Sequence, residues 1–287
     1  SKTETGLPFH GEAAMIDDTY LTGKVAVTGE HPFVEHFRFV KSFEDENTVA
    51  KQTIPSPAQT LAQFTMPFNR AHTEKYYTND QDLINDLVAA YSKFINDLYA
   101  AGCRNLQLDD CTWGMIADAK GHEAYGTTRE GLKAVQETYK NINNAVINAA
   151  PKDMIINTHV CRGNFHSTYA SSGAYDSVAD ILFGEENVDA YYLEFDDERS
   201  GGFAPLAKVS GDKKVVLGLI TTKSPALEDK AAVIERIHEA SKYVPLDRLY
   251  LSPQCGFASC EIGNKLTAEE QWAKLALVKE IADEVWQ

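Results

Sequence analysis

The sequence predicts an α/β protein, with a (β/α)8 barrel of the TIM type as its architecture. After about residue 80, short apolar runs typical of strands alternate with long amphipathic stretches of helical period. A chain of 287 residues with 44% hydrophobic composition is long enough for one large α/β domain with a substantial core. About six strands can be counted, so we expect the chain to lack about the first two strands of a closed barrel, unless residues 1–50 supply them in another form.

The first part of the chain, residues 1–50, shows no alternation of strands and helices. We expect it to be an amino-terminal extension, with a short strand or hairpin arm at 23–29 and a short helix at 32–43. The barrel domain is then expected to occupy residues 51–287.

Within the predicted barrel, helix ends are marked by recognisable residues. A helix over 79–101 ends at Gly102, and Thr-Thr-Arg-Glu at 127–130 is typical of a capping box that begins a helix running towards Ala150. Ser224 and Pro225 predict an N-cap and first-turn proline for a helix ending near Tyr243. The remaining predictions are a helix near 169–179, a short helix near Pro205, a second capping box at 267–270, and strands at 51–54, 105–109, 154–160, 190–194, 215–220 and 249–251.

Composition argues against several classes of partner. Lysine and arginine number 27 against 42 aspartates and glutamates, a net charge of −15, which disfavours a nucleic-acid partner. The longest apolar runs are strand-sized, well below the roughly 20 residues of a membrane helix. The chain shows no secretory signal, and five cysteines are too few for a disulfide scaffold. We therefore expect a soluble cytoplasmic protein with thiols free to bind a metal.

Four polar residues at predicted strand ends suit a metal site. Chemistry in (β/α) barrels gathers at the carboxyl ends of the strands. His159 and Cys161 are two residues apart on one strand, so both side chains point to the same face. With Cys255 and Glu194 from later strands they form a nitrogen, two-sulfur and oxygen set that suits tetrahedral Zn²⁺.

Each of these residues also has an ordinary interpretation. A histidine at a strand end is often a hydrogen-bonded core residue, and a free cysteine is often buried as a small hydrophobe. Glu194 could belong to a solvated acidic run over 194–199. Spacing alone leaves both interpretations open. Cys103, Cys111 and Cys260 show no clear partner, although Cys260 lies close enough to Cys255 to mimic a ligand.

Four short motifs together resemble the catalytic domain of cobalamin-independent methionine synthase, and most closely its short single-domain relatives. They are His-Val-Cys at 159–161, Tyr-Leu-Glu at 192–194, Ser-Pro-Gln-Cys-Gly at 252–256 and Leu-Gln-Leu-Asp-Asp at 106–110. The resemblance covers about residues 20–287. It implies a catalytic zinc ion held by His159, Cys161, Glu194 and Cys255, and methyl transfer from 5-methyltetrahydrofolate, in its polyglutamate form, to homocysteine.

The resemblance also implies roles for other residues. Asp109 matches an acid that contacts substrate, so we expect it to hold the homocysteine ammonium group or a pterin nitrogen. Asp110 stands where the family usually has glutamate and is a second substrate-binding candidate. Trp113 is a candidate for stacking on the folate ring, with core packing as the alternative. Lys223 stands where larger members have a proposed proton-donating histidine, which makes it a catalytic candidate.

The change from histidine to Lys223 keeps other functions open. Lysine is a poor proton donor to a weakly basic amine unless its pKa is lowered, so Lys223 is tuned, water acts instead, or the substrate differs. A zinc methyltransferase with another thiol acceptor or a simpler methyl donor is one alternative. A catalytically silent zinc-binding barrel is another. An incomplete barrel would also have reason to associate as a homo-oligomer.

Overall fold

The computed structural model describes residues 7–15 and 19–287, which form eight strands and ten α-helices in these ranges. The strands are β1 (Leu7–Phe9), β2 (Glu12–Ala14), β3 (Gln52–Pro55), β4 (Asn105–Asp110), β5 (Ile155–Val160), β6 (Ala190–Glu194), β7 (Lys214–Ile220) and β8 (Leu249–Pro253). The helices are α1 (Pro32–Lys41), α2 (Pro57–Thr65), α3 (Pro67–Thr73), α4 (Asp80–Ala100), α5 (Thr112–Ala117), α6 (Gly121–Ala124), α7 (Leu132–Ala149), α8 (Ala179–Glu185), α9 (Lys230–Ala240) and α10 (Ala268–Val285). Short 3₁₀ helices lie at Tyr175–Ser177, Glu198–Ser200, Ala204–Lys208 and Leu246–Arg248.

Strands β3 to β8 form one parallel sheet in the order in which they occur along the chain. Unlike a doubly wound sheet, this order has no point where it reverses, and each strand is followed by a helical connection, as in a (β/α) barrel. The predicted α/β fold with six parallel strands is confirmed. Within the described residues, no ladder joins β3 to β8, so the sheet is open between them.

The two faces of the sheet differ in polarity along β4. In β4, Leu106, Leu108 and Asp110 are buried against the helices, whereas Asn105, Gln107 and Asp109 are half-buried on the other face. The apolar side chains of the sheet and the facing sides of the helices form the core. The polar inner face is therefore the one available for chemistry. Among the described residues, no helix has the length and apolar character needed to cross a membrane.

Several predicted helix ends are confirmed. The Asn79 side chain accepts a hydrogen bond from the Asp82 amide at 2.9 Å and caps α4. Thr267 and Glu270 form the predicted capping box at the start of α10. The predicted box at 127–130 is wrong, because Thr128 instead accepts from the Gly131 amide at 3.1 Å in a turn and α7 begins at Leu132.

The prediction that Ser224 caps a helix is also wrong. Helix α9 begins five residues later, with Asp229 as its N-cap. The fully buried Lys274 donates to the Ala226 carbonyl at 2.7 Å and to Glu228 at 3.1 Å, and Glu228 accepts from the Thr221 amide at 2.8 Å. These contacts hold the segment before α9 in an irregular conformation. Ser224 closes a turn by accepting from the Ala226 amide.

Two further predictions need correction. Residues 23–29 form no strand, and the hairpin near the amino terminus is instead β1 with β2. The predicted helix at 169–179 is displaced, since residues 169–174 are irregular and α8 begins at Ala179. The short helix predicted near Pro205 is present, as a 3₁₀ helix.

A buried polar network lies between the sheet and the helices, behind the carboxyl end of β4. Asp110 accepts from the Ser56 hydroxyl at 2.8 Å, from the Thr112 amide and from the Asn143 side chain at 3.1 Å. Asn143 also donates to Glu186 at 2.6 Å. Burial, with Asp110 nearby, raises the pKa of Glu186 to about 8. Glu186 is therefore largely a neutral acid at neutral pH.

This network predicts a pH-dependent stability that Glu186→Gln should remove. Native Glu186 holds its proton to about pH 8, whereas in the unfolded chain it loses that proton near pH 4.5. Its contribution to stability should therefore fall by up to about 1.4 kcal/mol per pH unit between these values. Urea unfolding at about pH 5.5 and about pH 8.5 should show the variant gaining relative to the native chain at the higher pH. The exposed Glu185→Gln is the matched control, and equal pH dependence in all three proteins would contradict the assignment.

Candidate metal centre

Four side chains from three strand ends meet on the inner face of the sheet. The ligand atoms of His159, Cys161, Glu194 and Cys255 all lie within 4.8 Å of one another. Cys255 Sγ is 3.3 Å from His159 Nε2, 3.3 Å from Cys161 Sγ and 2.8 Å from Glu194 Oε1. The structure thus brings together all four predicted ligands.

Strand register explains why these side chains converge. His159 in β5 is level with Asp109 in β4 and with Tyr192 in β6. Cys161 and Glu194, each two residues further along the chain, are therefore level with each other. An irregularity in the β7–β8 ladder follows Gly218, just before β8 delivers Cys255. A Cβ atom at Gly218 would lie 2.7 Å from the Leu193 carbonyl, so only glycine permits this approach.

Glu194 is fully buried, and each of its oxygens has separate partners. Oε1 accepts from the Arg162 amide at 3.0 Å and from Cys255. Oε2 accepts from the Gln254 side chain at 2.8 Å and from Arg199 at 3.3 Å. A buried carboxyl group is tolerated only with such donors, and they hold Glu194 with Oε1 turned towards the other ligand atoms.

The protonation of the cluster follows from its own contacts. A hydrogen bond with Cys111, then one with Cys255, holds the pKa of Cys161 well below its usual range. Burial alone would lower the pKa of His159, but the Cys161 thiolate, Glu194 and Asp109 together raise it to about 9. Its hydrogen bond to Cys161, and then burial, raise the pKa of Cys255. A metal that binds here must displace protons from His159 and Cys255.

The donor set fits a zinc ion. Tetrahedral zinc with Zn–S near 2.3 Å and Zn–N or Zn–O near 2.1 Å places its ligand atoms roughly 3.3–3.8 Å apart. The four atoms here span at most 4.8 Å, so a zinc ion fits with small side-chain adjustments. One imidazole, two thiolates and one carboxylate also match the preference of Zn²⁺ for nitrogen and sulfur ligands.

Asp109 and Lys223 each lie next to a residue of this cluster or its support. Asp109 is half-buried on the inner face, and Gln107 donates to its Oδ1 at 2.8 Å. Burial raises the pKa of Asp109. Lys223 Nζ is 3.4 Å from the side-chain oxygen of Gln254, which ties it to the residue that contacts Glu194.

Two other predicted substrate contacts do not face the cluster. Asp110 is fully buried in the network with Ser56 and Asn143, because consecutive side chains on a strand point to opposite faces. Trp113 has no exposed surface and belongs to the hydrophobic core. Core packing, the alternative to folate stacking, agrees with this position.

Sequence reasoning missed three residues around the site. Cys111 contacts Cys161, and the two-residue step from Asp109 on the same strand end could have indicated this. Gln254 and Arg199 both donate to Glu194. Gln254 precedes a predicted ligand, but the direction of its side chain could not be predicted because the strand ends in an irregular turn.

The β1–β2 hairpin packs over the loop that follows Cys161. The His10 amide donates to the Tyr169 carbonyl at 2.7 Å. Glu12 contacts His166 Nδ1 at 3.0 Å and Lys265 Nζ at 2.9 Å, which links the loops after β5 and β8. The hairpin thus braces both loops that carry cysteine ligands.

Comparison with known proteins places these features in context. Residues 70–284 match the family described as the catalytic domain of cobalamin-independent synthase. The uncharacterized protein YxjG of Bacillus subtilis is 45% identical over 290 residues, covering 99% of this chain and 74% of that protein. A methionine synthase of Saccharolobus solfataricus is 24% identical over 259 residues, covering 88% of this chain and 65% of that protein.

Solved structures show the same fold. A Listeria monocytogenes protein assigned as a vitamin B12-independent methionine synthase matches with a TM-score of 0.70 and 41% identity, covering 90% of this chain and 71% of that chain. A B12-independent methionine synthase from Shewanella sp., in complex with selenomethionine, has a TM-score of 0.64 and 18% identity, covering 91% and 68% of the two chains. At 18% identity, the similarity to the Shewanella protein shows only a shared fold.

The ligand assignment predicts that Cys161→Ser will reduce bound zinc strongly, because a serine hydroxyl does not replace a thiolate ligand. Metal content after zinc loading and desalting measures this. Cys260→Ser is the matched control, since Cys260 lies outside the cluster, and it should keep the native zinc content. An undiminished zinc content in the Cys161 variant would remove the assignment.

Proposed function

The chain belongs to the cobalamin-independent synthase catalytic-domain family, and on this basis we propose that it is a zinc-dependent methyltransferase. In the reaction proposed, the methyl group of 5-methyltetrahydrofolate, carried as its polyglutamate, passes to homocysteine and gives methionine. The observation that carries the proposal is the convergence of His159, Cys161, Glu194 and Cys255 on the inner face of the sheet. A reducing cytoplasm, which we propose as its location, would keep both cysteines available.

Zinc bound by these residues would deprotonate a coordinating thiol and present it as a nucleophile at neutral pH. Two thiolate ligands make the site electron-rich, which should keep an acceptor thiolate reactive. Glu194 would be the one hard oxygen ligand, and its Oε2 accepts hydrogen bonds from Gln254 and Arg199 without a metal. The protein therefore supports that carboxylate independently of the metal.

Methyl transfer needs a proton as well as a nucleophile. A sulfur–carbon bond forms while the bond between the methyl carbon and folate N5 breaks, and N5 keeps the electron pair. N5 is a poor leaving group unless it is protonated. Asp109 lies beside His159 on the inner face, which supports its proposed role of holding the acceptor ammonium group or a pterin nitrogen.

Lys223 favours a second candidate, a methyltransferase with the same zinc chemistry and a different methyl donor or thiol acceptor. Its ammonium group is held near Gln254, at the rim of the cluster. A fixed cation there suits an anionic substrate group better than it suits proton donation. A simpler methyl donor would not need the acid that N5 of folate requires.

The proposed function predicts methionine formation when zinc-loaded protein is mixed with methylfolate polyglutamate and homocysteine. Removal of zinc by a chelator should abolish the product, and added zinc should restore it. Mass spectrometry of labelled methionine measures the transfer. Protein with bound zinc that gives no methionine would refute the leading proposal, and product from a simpler donor alone would favour the second candidate.

Asp109→Asn should raise the KM for homocysteine about 10-fold or more, because a charge-assisted hydrogen bond contributes roughly 1.5–3 kcal/mol. Zinc content should stay at the native value, since Asp109 is not among the four ligands. Steady-state kinetics measure the change, with the exposed Asp212→Asn as matched control. An unchanged KM in the Asp109 variant would argue that this carboxylate does not hold the acceptor.

A further inference from the structure

The Gln254 side chain lies between the Glu194 carboxylate and the end of β7. Gln254 is nearly buried, with 9% of its surface exposed, and immediately precedes the ligand Cys255. Its amide nitrogen donates to Glu194 Oε2 at 2.8 Å and to Asp196 Oδ1 at 2.6 Å. Both amide hydrogens are therefore used by carboxylates.

The other end of the same amide contacts the loop that follows β7. Gln254 Oε1 accepts from the Thr221 hydroxyl at 3.2 Å, from the Thr222 amide at 3.3 Å and from Lys223 Nζ at 3.4 Å. The Asn264 side chain donates to the Thr222 carbonyl at 2.7 Å and braces this loop. Three donors thus converge on one carbonyl oxygen.

These partners permit one orientation of the amide. If it were rotated by 180°, its oxygen would face the carboxylates of Glu194 and Asp196, and its NH₂ group would face an ammonium and a backbone amide. Glutamate at this position would bring a third carboxylate against the other two. A neutral side chain with a donor and an acceptor at its tip meets both requirements.

We propose that Gln254 is a positioning residue for the metal carboxylate, a role that rests on the zinc-dependent function proposed above. By holding Oε2, Gln254 fixes Glu194 so that only Oε1 is presented to the metal. Its carbonyl ties that carboxylate to Lys223 at the rim, so a substrate group that engages Lys223 also acts on the amide that holds Glu194. Hydrogen bonds therefore run from Lys223 through Gln254 to Glu194, and they link the residue proposed to contact substrate to the metal ligands.

Arg199 also contacts Glu194 Oε2, but it does not replace Gln254. Arg199 lies 3.3 Å from Glu194 Oε2 but 2.8 Å from Asp196, and it also pairs with Asp197. Its shortest contacts to carboxylates are thus not to Glu194. The shorter bond to Oε2 comes from Gln254.

The test compares Gln254→Glu, which keeps the shape and removes the donor, with Gln254→Leu, which removes both ends of the link. Zinc affinity is measured by competition with a chelator, and the absorption spectrum of the Co²⁺-loaded protein reports the ligand set. Both variants should bind zinc roughly 10- to 100-fold more weakly. The cobalt ligand-field bands should change because of altered carboxylate binding, while the sulfur-to-cobalt bands remain.

Gln81→Glu is the matched control, since it makes the same substitution on the exposed face of α4 and should leave affinity and spectrum native. Unfolding of the metal-free proteins separates positioning from a general loss of structure. Folded Gln254 variants with native zinc affinity and native cobalt bands would overturn the inference, as would variants whose only change is lower stability of the metal-free state.

The inference and the proposed function fail in different ways. Native protein that binds zinc but transfers no methyl group from methylfolate contradicts the function, while the affinity and spectra of the Gln254 variants still decide the inference. Native protein that binds neither zinc nor Co²⁺ overturns both. Activity is therefore not needed to test the role of Gln254.

Discussion

The burial of the Glu194 carboxylate is the constraint on which the site depends. A carboxylate with no exposed surface is stable only if hydrogen bonds and positive charge replace the water it has lost. Arg199 and Gln254 satisfy one of its oxygens, while the Arg162 amide and Cys255 contact the other. The loop after β6, the end of β8 and the end of β5 are all held by this one side chain. A bound divalent cation would add the remaining charge compensation.

Because side chains alternate along a strand, neighbouring residues face either the candidate metal ligands or the buried network behind the sheet. In β4, Asp109 faces the inner cluster while its neighbour Asp110 faces the helices and joins the buried network that includes Glu186. His159 in β5 and Cys161 just after it lie on the inner face. Two adjacent aspartates thus serve different purposes, one beside the ligands and one anchoring the strand end to α7.

Periodicity predicts the strands of the parallel sheet, because each is a short apolar run between helical stretches. The residues that end these runs include the four candidate ligands, but spacing leaves an ordinary role open for each of them, and the family resemblance selects them. The caps predicted at Ser224 and at 127–130 are wrong, because a long-range bond from Lys274 and a local bond accepted by Thr128 determine those segments, and the cap-like residues close turns instead. The position of Gln254 could not be predicted either, because its contacts are with Glu194 and Thr221, which are far away in the chain.

X-ray absorption spectroscopy of the zinc-loaded protein tests the central claim most directly. The arrangement of His159, Cys161, Glu194 and Cys255 predicts two sulfur neighbours, one nitrogen and one oxygen around the zinc ion. A first shell without sulfur, or a protein that retains no zinc after loading, would contradict the account.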